Sequence, residues 1–228
     1  MHQLVSSLSN SKRDQNGNME IACVILKPDT VKDGRKDLII DYLRKYSCEN
    51  GLMMVEGCSI LPEISSKMIN AHFEGEAKIK EVGEKVLLAF SRMGIPEEEM
   101  NSILKRHNLD PKDTISIGNW VRNVEVNTHK GACPYILVFA GLDAISKLFK
   151  IRGGSDPIWA QEGTLRKMFS NGMSIVDMFD GKNGKSIDNV LHIPDTVEEV
   201  DRILATALGK SYQEYLNIIN QNLSMMRR

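Results

Sequence analysis

The sequence predicts an α+β protein: a ferredoxin-like βαββαβ sandwich with an antiparallel sheet, a helical hairpin insertion and a C-terminal helix. Three observations predict it. Continuous apolar runs of strand length, IACVIL, LMMVEGCSIL and ACPYILVFAG, are separated by stretches with helical periodicity. The order is strand, helix, strand, helix, insert, strand, helix, and then a short strand and a last helix. The 228 residues, 42% hydrophobic and 26% charged, can bury a sizeable core as one domain with an elaboration.

The first strand begins near Glu20 and stops at Lys27-Pro28-Asp29-Thr30, where proline ends the ladder and Lys27 stands at the exit. Asp37 starts a helix with Leu38, Ile39, Tyr42 and Leu43 on its apolar face, and Gly51 leads into the second strand. Pro62-Glu63-Ile64-Ser65 opens the next helix, carrying Ile64, Met68, Ile69 and Phe73 and ending near Gly75. Between Glu76 and Lys130 the pattern loosens. A helical stretch through Val82, Val86, Leu87 and Phe90 breaks at Gly94-Ile95-Pro96, and EEEMNSILKRH follows, its leading acids suited to a positive helix end. This hairpin is expected to be an appendage, with His107 and His129 on its surface. From Ala132 the third strand leads to a helix ending near Lys150. The last core helix presents Val197, Val200, Ile203, Leu204, Ala207 and Leu208, and a tail helix with Tyr212, Tyr215, Leu216 and Ile219 is expected to dock on the core or on a neighbouring subunit. The predicted organisation is therefore a disordered tail over 1–18, a domain over 19–208 with the insertion at 76–130, and a helical tail over 209–228.

Composition narrows the function. A net charge of −1 leaves no global field to attract a nucleic acid, so any anion site must be local. The four cysteines form no CxxC pair or Cys/His cluster, and Cys23 and Cys133 lie in apolar runs; reduced, buried thiols in a cytoplasmic protein are expected. The first residues lack the apolar segment of a secretory signal, and no run is long enough to span a bilayer, so no membrane partner is expected.

The chemistry concentrates in SIDNVLHIPDTVEEVD, Ser186 to Asp201. SIDNVLHI reads as a short buried strand delivering His192 to its end. Thr196 and Glu199 have capping-box spacing for the helix that follows. A histidine between a strand end and a helix N-terminus lies near backbone N–H groups that favour anions. Upstream, Asp180-Gly181-Lys182-Asn183-Gly184-Lys185-Ser186 ends like a phosphate loop, but the motif needs glycine where the chain has Phe179, and a strand follows it. It reads as a turn-rich lengthening of the loop between Phe169 and Asn189.

IACVILKPDTV, GGSDPIWAQEGTLRKMF and NVLHIPDT, in this order, resemble the strand-end KPD, NP-A---GT-R loop and N--HGSD box of the nucleoside diphosphate kinases. The resemblance covers Glu20 to Phe73 and Cys133 to Leu208. It implies that His192 takes the terminal phosphate of a nucleoside triphosphate and returns it to a nucleoside diphosphate in a ping-pong reaction. It also implies that Arg166 and Ser155 bind phosphate, that Lys27 and Asn189 hold sugar hydroxyls near it, and that Phe73 and Phe149 occupy nucleotide-binding positions. Mg²⁺ is expected to arrive on the nucleotide phosphates, since the sequence offers no protein cage for a metal. A homo-oligomer is expected as well.

The departures are as informative. Phe73 replaces a family tyrosine and Phe149 a second phosphate-binding arginine, with Lys147, Lys150 and Arg152 near enough to substitute. Ile193-Pro194-Asp195 replaces GSD, and ungapped alignment puts the family's ring-orienting glutamate on Ile203. Either Glu199 or Asp201 then orients the imidazole, or the enzyme is slow. The base-stacking phenylalanine has no clear counterpart. The alternative is a catalytically weakened relative serving as a nucleotide-binding or protein-interaction module.

Overall fold

The computed structural model describes residues 19–180 and 186–226; the N-terminal tail and Gly181–Lys185 of the loop before the histidine lie outside the described residues. In chain order the elements are β1 (Met19–Leu26), α1 (Pro28–Lys32), α2 (Arg35–Glu49), β2 (Leu52–Ser59), α3 (Pro62–His72), α4 (Glu76–Arg92), α5 (Glu97–Arg106), α6 (Thr114–His129), β3 (Tyr135–Leu142), α7 (Ala144–Arg152), α8 (Leu165–Phe169), β4 (Leu191–His192), α9 (Val197–Leu208) and α10 (Tyr212–Met226). Tight 3₁₀ turns occupy Pro157–Trp159 and Ile175–Phe179. The chain gathers into two compact units. The first comprises the chain up to Ile60, Pro134–Arg152 and the chain from Leu191; the second comprises Leu61–Cys133 and Gly153–Val190. No helix among the described residues is long and apolar enough to cross a membrane.

The first unit is built on a four-stranded antiparallel sheet in the order β2-β3-β1-β4, the order expected of a βαββαβ chain. β1 is central and buried throughout from Ile21 to Leu26, which explains its unbroken apolar sequence. It pairs along its whole length with β3, from Met19↔Leu142 to Leu26↔Tyr135. With β4 it pairs only at Ile25↔His192 and Leu26↔Leu191. The strand expected over SIDNVLHI is thus reduced to its last residues, because Val190 turns the backbone into the left-handed region at φ 57°. In α2 the buried face is Ile39, Ile40 and Leu43, whereas Leu38, expected on that face, is 62% exposed.

The tail helix α10 docks on this unit. Tyr215 and Ile219 are buried, and the Tyr215 hydroxyl donates to Glu56 Oε2 at 2.6 Å, where Lys210 Nζ also binds at 3.2 Å. The Ile21 N–H of β1 donates to the Tyr212 hydroxyl at 3.2 Å. Asp201 Oδ1, on α9, accepts from the Tyr212 N–H at 2.6 Å and so caps the start of α10.

The second unit is helical, and it corrects two expectations about the insertion. The first is its composition: besides the expected α4 and α5 it contains α6, in a stretch rich in β-branched residues with a weak helix preference. Asp113 caps α6, accepting from the Ser116 N–H at 2.9 Å, and packing supplies the rest. α4 and α6 meet at two glycines: a Cβ on Gly83 would lie 1.9 Å from Thr114 O, and one on Gly118 would lie 2.0 Å from Ile79 O. The second correction concerns independence. The buried residues of the inserted helices, Val86, Phe90, Leu104, Ile117 and Val121 among them, share one core with Ile175, Val176, Met178, Phe179 and Ile187 from the loop before the histidine. Trp120 stacks on Phe179 with ring centroids 4.4 Å apart. Neither His107 nor His129 is a plain surface residue: His107 Nε2 lies 2.9 Å from Phe179 O, and His129 is fully buried with Nδ1 2.9 Å from Glu125 O. Cys133, expected inside, is exposed, while Cys23 in β1 is buried.

Candidate active site

His192 ends β4, and the β1 pairing sets it opposite Ile25, two residues before Lys27. Lys27 leaves β1 at the start of α1, where Pro28 takes the first helical position; Lys27 itself is buried, at 8% exposure. After His192 the chain enters α9 with Thr196 as cap, its hydroxyl accepting from the Glu199 N–H at 3.2 Å. The Glu199 carboxylate is directed to the imidazole: Oε1 lies 3.2 Å from His192 Nε2, and the two side chains are 5% and 12% exposed. Of the two acids proposed as ring partners, Glu199 is therefore the one beside the ring, since Asp201 caps α10. Ile203, the residue marked by ungapped alignment, is fully buried in the apolar core. The acid that reaches the ring stands one turn earlier on α9.

The segment beyond the histidine is held by an arginine. Arg152 Nη1, at the end of α7, donates to Ile193 O at 2.9 Å, and its guanidinium lies 4.0 Å from the Phe149 ring centroid. Phe149 is 37% exposed and serves as a platform for Arg152. Lys147 binds Asn50 O at 3.0 Å. Two of the cations expected to replace the missing arginine therefore hold the backbone of this unit.

The other site residues belong to the second unit. Arg166 is buried in α8, and its Nη1 donates to Gly154 O at 3.1 Å and Gly153 O at 3.3 Å, which shapes the loop that carries Ser155. Gly153 has φ 87°, and a Cβ there would lie 2.4 Å from Thr164 Oγ1. The GG and GT-R parts of the motif thus need each other: the first supplies the close approach to Thr164, the second the guanidinium that locks it. Asp156 fastens the same loop, its Oδ2 accepting from Ser174 Oγ at 2.8 Å and the Ile175 N–H at 3.1 Å. Asn189 is half-buried beside Val190, and its N–H donates to Ile187 O at 2.9 Å in a tight turn. Val190, fully buried and β-branched, holds φ 57° two residues before the histidine, a conformation that costs on the order of 1–3 kcal/mol. No sequence signal marked it. Phe73 caps the C-terminal end of α3 and is buried, its ring 4.7 Å from that of His72.

No protein-family model matches the chain, and no curated protein matches it by sequence. Solved structures do. An NDP kinase from Pyrobaculum aerophilum matches with a TM-score of 0.64 at 24% identity, over 86% of this chain and 98% of that one. The chain has the nucleoside diphosphate kinase fold. A nucleoside-diphosphate kinase from Borrelia burgdorferi, solved as a transition state mimic with bound vanadate and ADP, matches with a TM-score of 0.53 at 21% identity, over 82% of this chain and 86% of that one. In this version of the nucleoside diphosphate kinase fold the inserted helices α4 to α6 share the core of the second unit, and α10 follows the last core helix.

Proposed function

We propose that the protein transfers the terminal phosphate of a nucleoside triphosphate to a nucleoside diphosphate through a phosphohistidine on His192. The observation that carries this reading is the Glu199 carboxylate 3.2 Å from His192 Nε2, on a fold shared with kinases of which one was solved with ADP and vanadate. The carboxylate beside Nε2 favours the tautomer protonated there, and in that tautomer Nδ1 carries the lone pair that attacks. In the first half-reaction Nδ1 attacks the terminal phosphorus, a P–N bond forms, and the bond to the bridging oxygen breaks, its electron pair leaving on the nucleoside diphosphate. In the second, a terminal oxygen of another nucleoside diphosphate attacks the same phosphorus and the P–N pair returns to the ring.

In this reading Glu199 also balances the charge that the ring gains while phosphorylated. Lys27 and Asn189 hold the sugar hydroxyls, Ser155 hydrogen-bonds phosphate, and Arg166 adds its charge while keeping the Ser155 loop in shape. Phe73, being buried, has a packing role, and Phe149 acts through Arg152. Glu199 is the carboxylate nearest the reacting ring and is taken up by it, so in this reading Mg²⁺ would be held by the phosphate oxygens of the nucleotide and would supply charge neutralisation there.

The test is to expose the full chain to ATP labelled on its terminal phosphate, assay for acid-labile, base-stable label, and chase with GDP. Label that forms, leaves with GDP and is absent from His192→Ala is the expected result. Label persisting in that variant overturns the assignment. Nucleotide binding without any label would favour the alternative, a binding module, for which the phenylalanine at position 149 in place of an arginine speaks.

A further inference from the structure

After His192 the backbone has only Ile193, Pro194 and Asp195 to carry it from the end of β4 to the α9 cap at Thr196. Among the described residues the ladder that ties β4 to β1 ends at Ile25↔His192, so no strand bond reaches Ile193. Pro194 brings no N–H and keeps Ile193 extended. Both residues are buried, so the Ile193 carbonyl needs a donor from another element. Arg152 is that donor, with Nη1 at 2.9 Å, and a charged donor on a buried carbonyl makes one of the stronger hydrogen bonds. The arginine stands on a firm base. In α7 the Ile145 N–H donates to Glu20 Oε2 of β1 at 3.0 Å, Lys147 Nζ donates to Asn50 O at 3.0 Å, and the Tyr46 hydroxyl of α2 donates to Lys147 O at 3.1 Å. One turn before Arg152, the Phe149 ring lies under its guanidinium at 4.0 Å and selects the rotamer that reaches the carbonyl. All of these groups belong to the first unit.

We infer that Arg152 is a positioning residue for His192, that Phe149 is the platform holding Arg152 to that task, and that the pair sets the imidazole against Glu199. The ladder fixes the backbone up to His192, and the arginine fixes the first peptide beyond it. That peptide also starts the short connection to α9, which carries Glu199. The inference rests on the phosphotransfer reading for what the ring does, and it changes the meaning of position 149. Where the resemblance implies a phosphate-binding arginine, this chain has half of a clamp. An arginine restored there would set a second cation against Arg152 and push it off the Ile193 carbonyl.

Two readouts on the full chain test this: the rate at which MgATP labels His192, as a function of MgATP concentration, and the nitrogen-15 shifts of the His192 ring without nucleotide, assigned against His192→Ala. Thermal unfolding checks that each variant is folded, and Phe149→Leu carries the test should Arg152→Gln fail to fold. Arg152→Gln is expected to lower the maximal labelling rate about 10–100-fold at an unchanged half-saturating MgATP concentration, and to move the ring shifts away from the tautomer protonated on Nε2. Arg152→Lys should recover part of the rate. Phe149→Leu is expected to cost about 3–10-fold alone and nothing further in the Arg152→Gln background, because the two residues act as one device. Phe149→Arg should slow labelling. Faster labelling by Phe149→Arg overturns the inference, as does an Arg152→Gln variant that raises half-saturating MgATP with its ring shifts unchanged, which would make Arg152 a phosphate ligand. A wild type that takes no label sinks the phosphotransfer reading, while the ring shifts of Arg152→Gln still decide whether the clamp positions the imidazole.

Discussion

Glu199 illustrates what one side chain contributes when two local rules compete for it. Its N–H completes a helix cap with Thr196, and its carboxylate, by position available to reach back to the cap, lies instead against His192. Glu199→Gln keeps the shape but exchanges a charged acceptor for an amide, so the tautomer with Nε2 protonated loses its preference. We expect labelling of His192 by ATP to slow on the order of 10²-fold or more, with the fold intact by circular dichroism. Ile203→Glu separates this from the ungapped alignment. Ile203 is fully buried, and a carboxylate there is expected to cost about 3 kcal/mol or more without raising the transfer rate, as read by denaturant unfolding and by the same labelling assay. The histidine, the lysine at the end of β1 and the GT-R arginine were legible because each stands in a motif at an element boundary. Its ring partner was legible only as one of two acids, since a turn of helical phase decides it and sequence does not fix that phase. Val190 was not legible at all: a β-branched residue looks like strand, and only tertiary packing can hold it at positive φ.

Among the elements, α6 was hidden because its propensity is poor and its stability comes from contacts. Its closest approach to α4 sets up a test in which two principles disagree in sign. Glycine to alanine inside a helix stabilises by roughly 1 kcal/mol from propensity. At Gly118 the new methyl would lie 2.0 Å from a backbone carbonyl oxygen, Ile79 O, which cannot rotate away. Overpacking wins, and Gly118→Ala is expected to lower stability by about 3 kcal/mol in chemical unfolding. The docking of α10 has a different character. The Tyr215 hydroxyl, and after it Lys210, holds the Glu56 carboxyl below its ordinary value of 4.5 despite burial. A carboxyl lowered on folding gives stability that is complete above the unfolded value and disappears as pH falls through the folded one. Tyr215→Phe should cost about 2 kcal/mol at neutral pH, with that difference shrinking on acidification below about pH 4.5. Thermal unfolding of both proteins across that range measures it. The four strands and their antiparallel order were readable because buried strands announce themselves as apolar runs; the shortness of β4 was not, because a turn forced by one residue leaves no compositional trace.

For the whole molecule, the insertion matters most. Read from sequence, Glu76 to Lys130 is a detachable hairpin, because an amphipathic helix pair says nothing about which core its apolar face enters. In the structure that face is covered by Ile175, Val176, Met178, Phe179 and Ile187. Excision would expose these five side chains at about 2 kcal/mol each, comparable to the roughly 5–15 kcal/mol that separates folded from unfolded chains. A chain with 76–130 replaced by a short linker is therefore expected to lose cooperative unfolding, and a deletion variant that melts cooperatively would show the shared core to be dispensable.

The two-residue length of β4 also reaches beyond the site. Because β4 covers β1 only at Ile25 and Leu26, most of the β4-facing side of β1 has no strand neighbour among the described residues, and there the Ile21 N–H finds the Tyr212 hydroxyl. A sheet margin of this kind is a template for adding a strand from another molecule, and α10 closes it. In a chain ending at Gly209 the margin would be open along a strand that is apolar from Ile21 to Leu26. The tail helix then has a role in colloidal behaviour, keeping the sheets of neighbouring molecules from joining edge to edge.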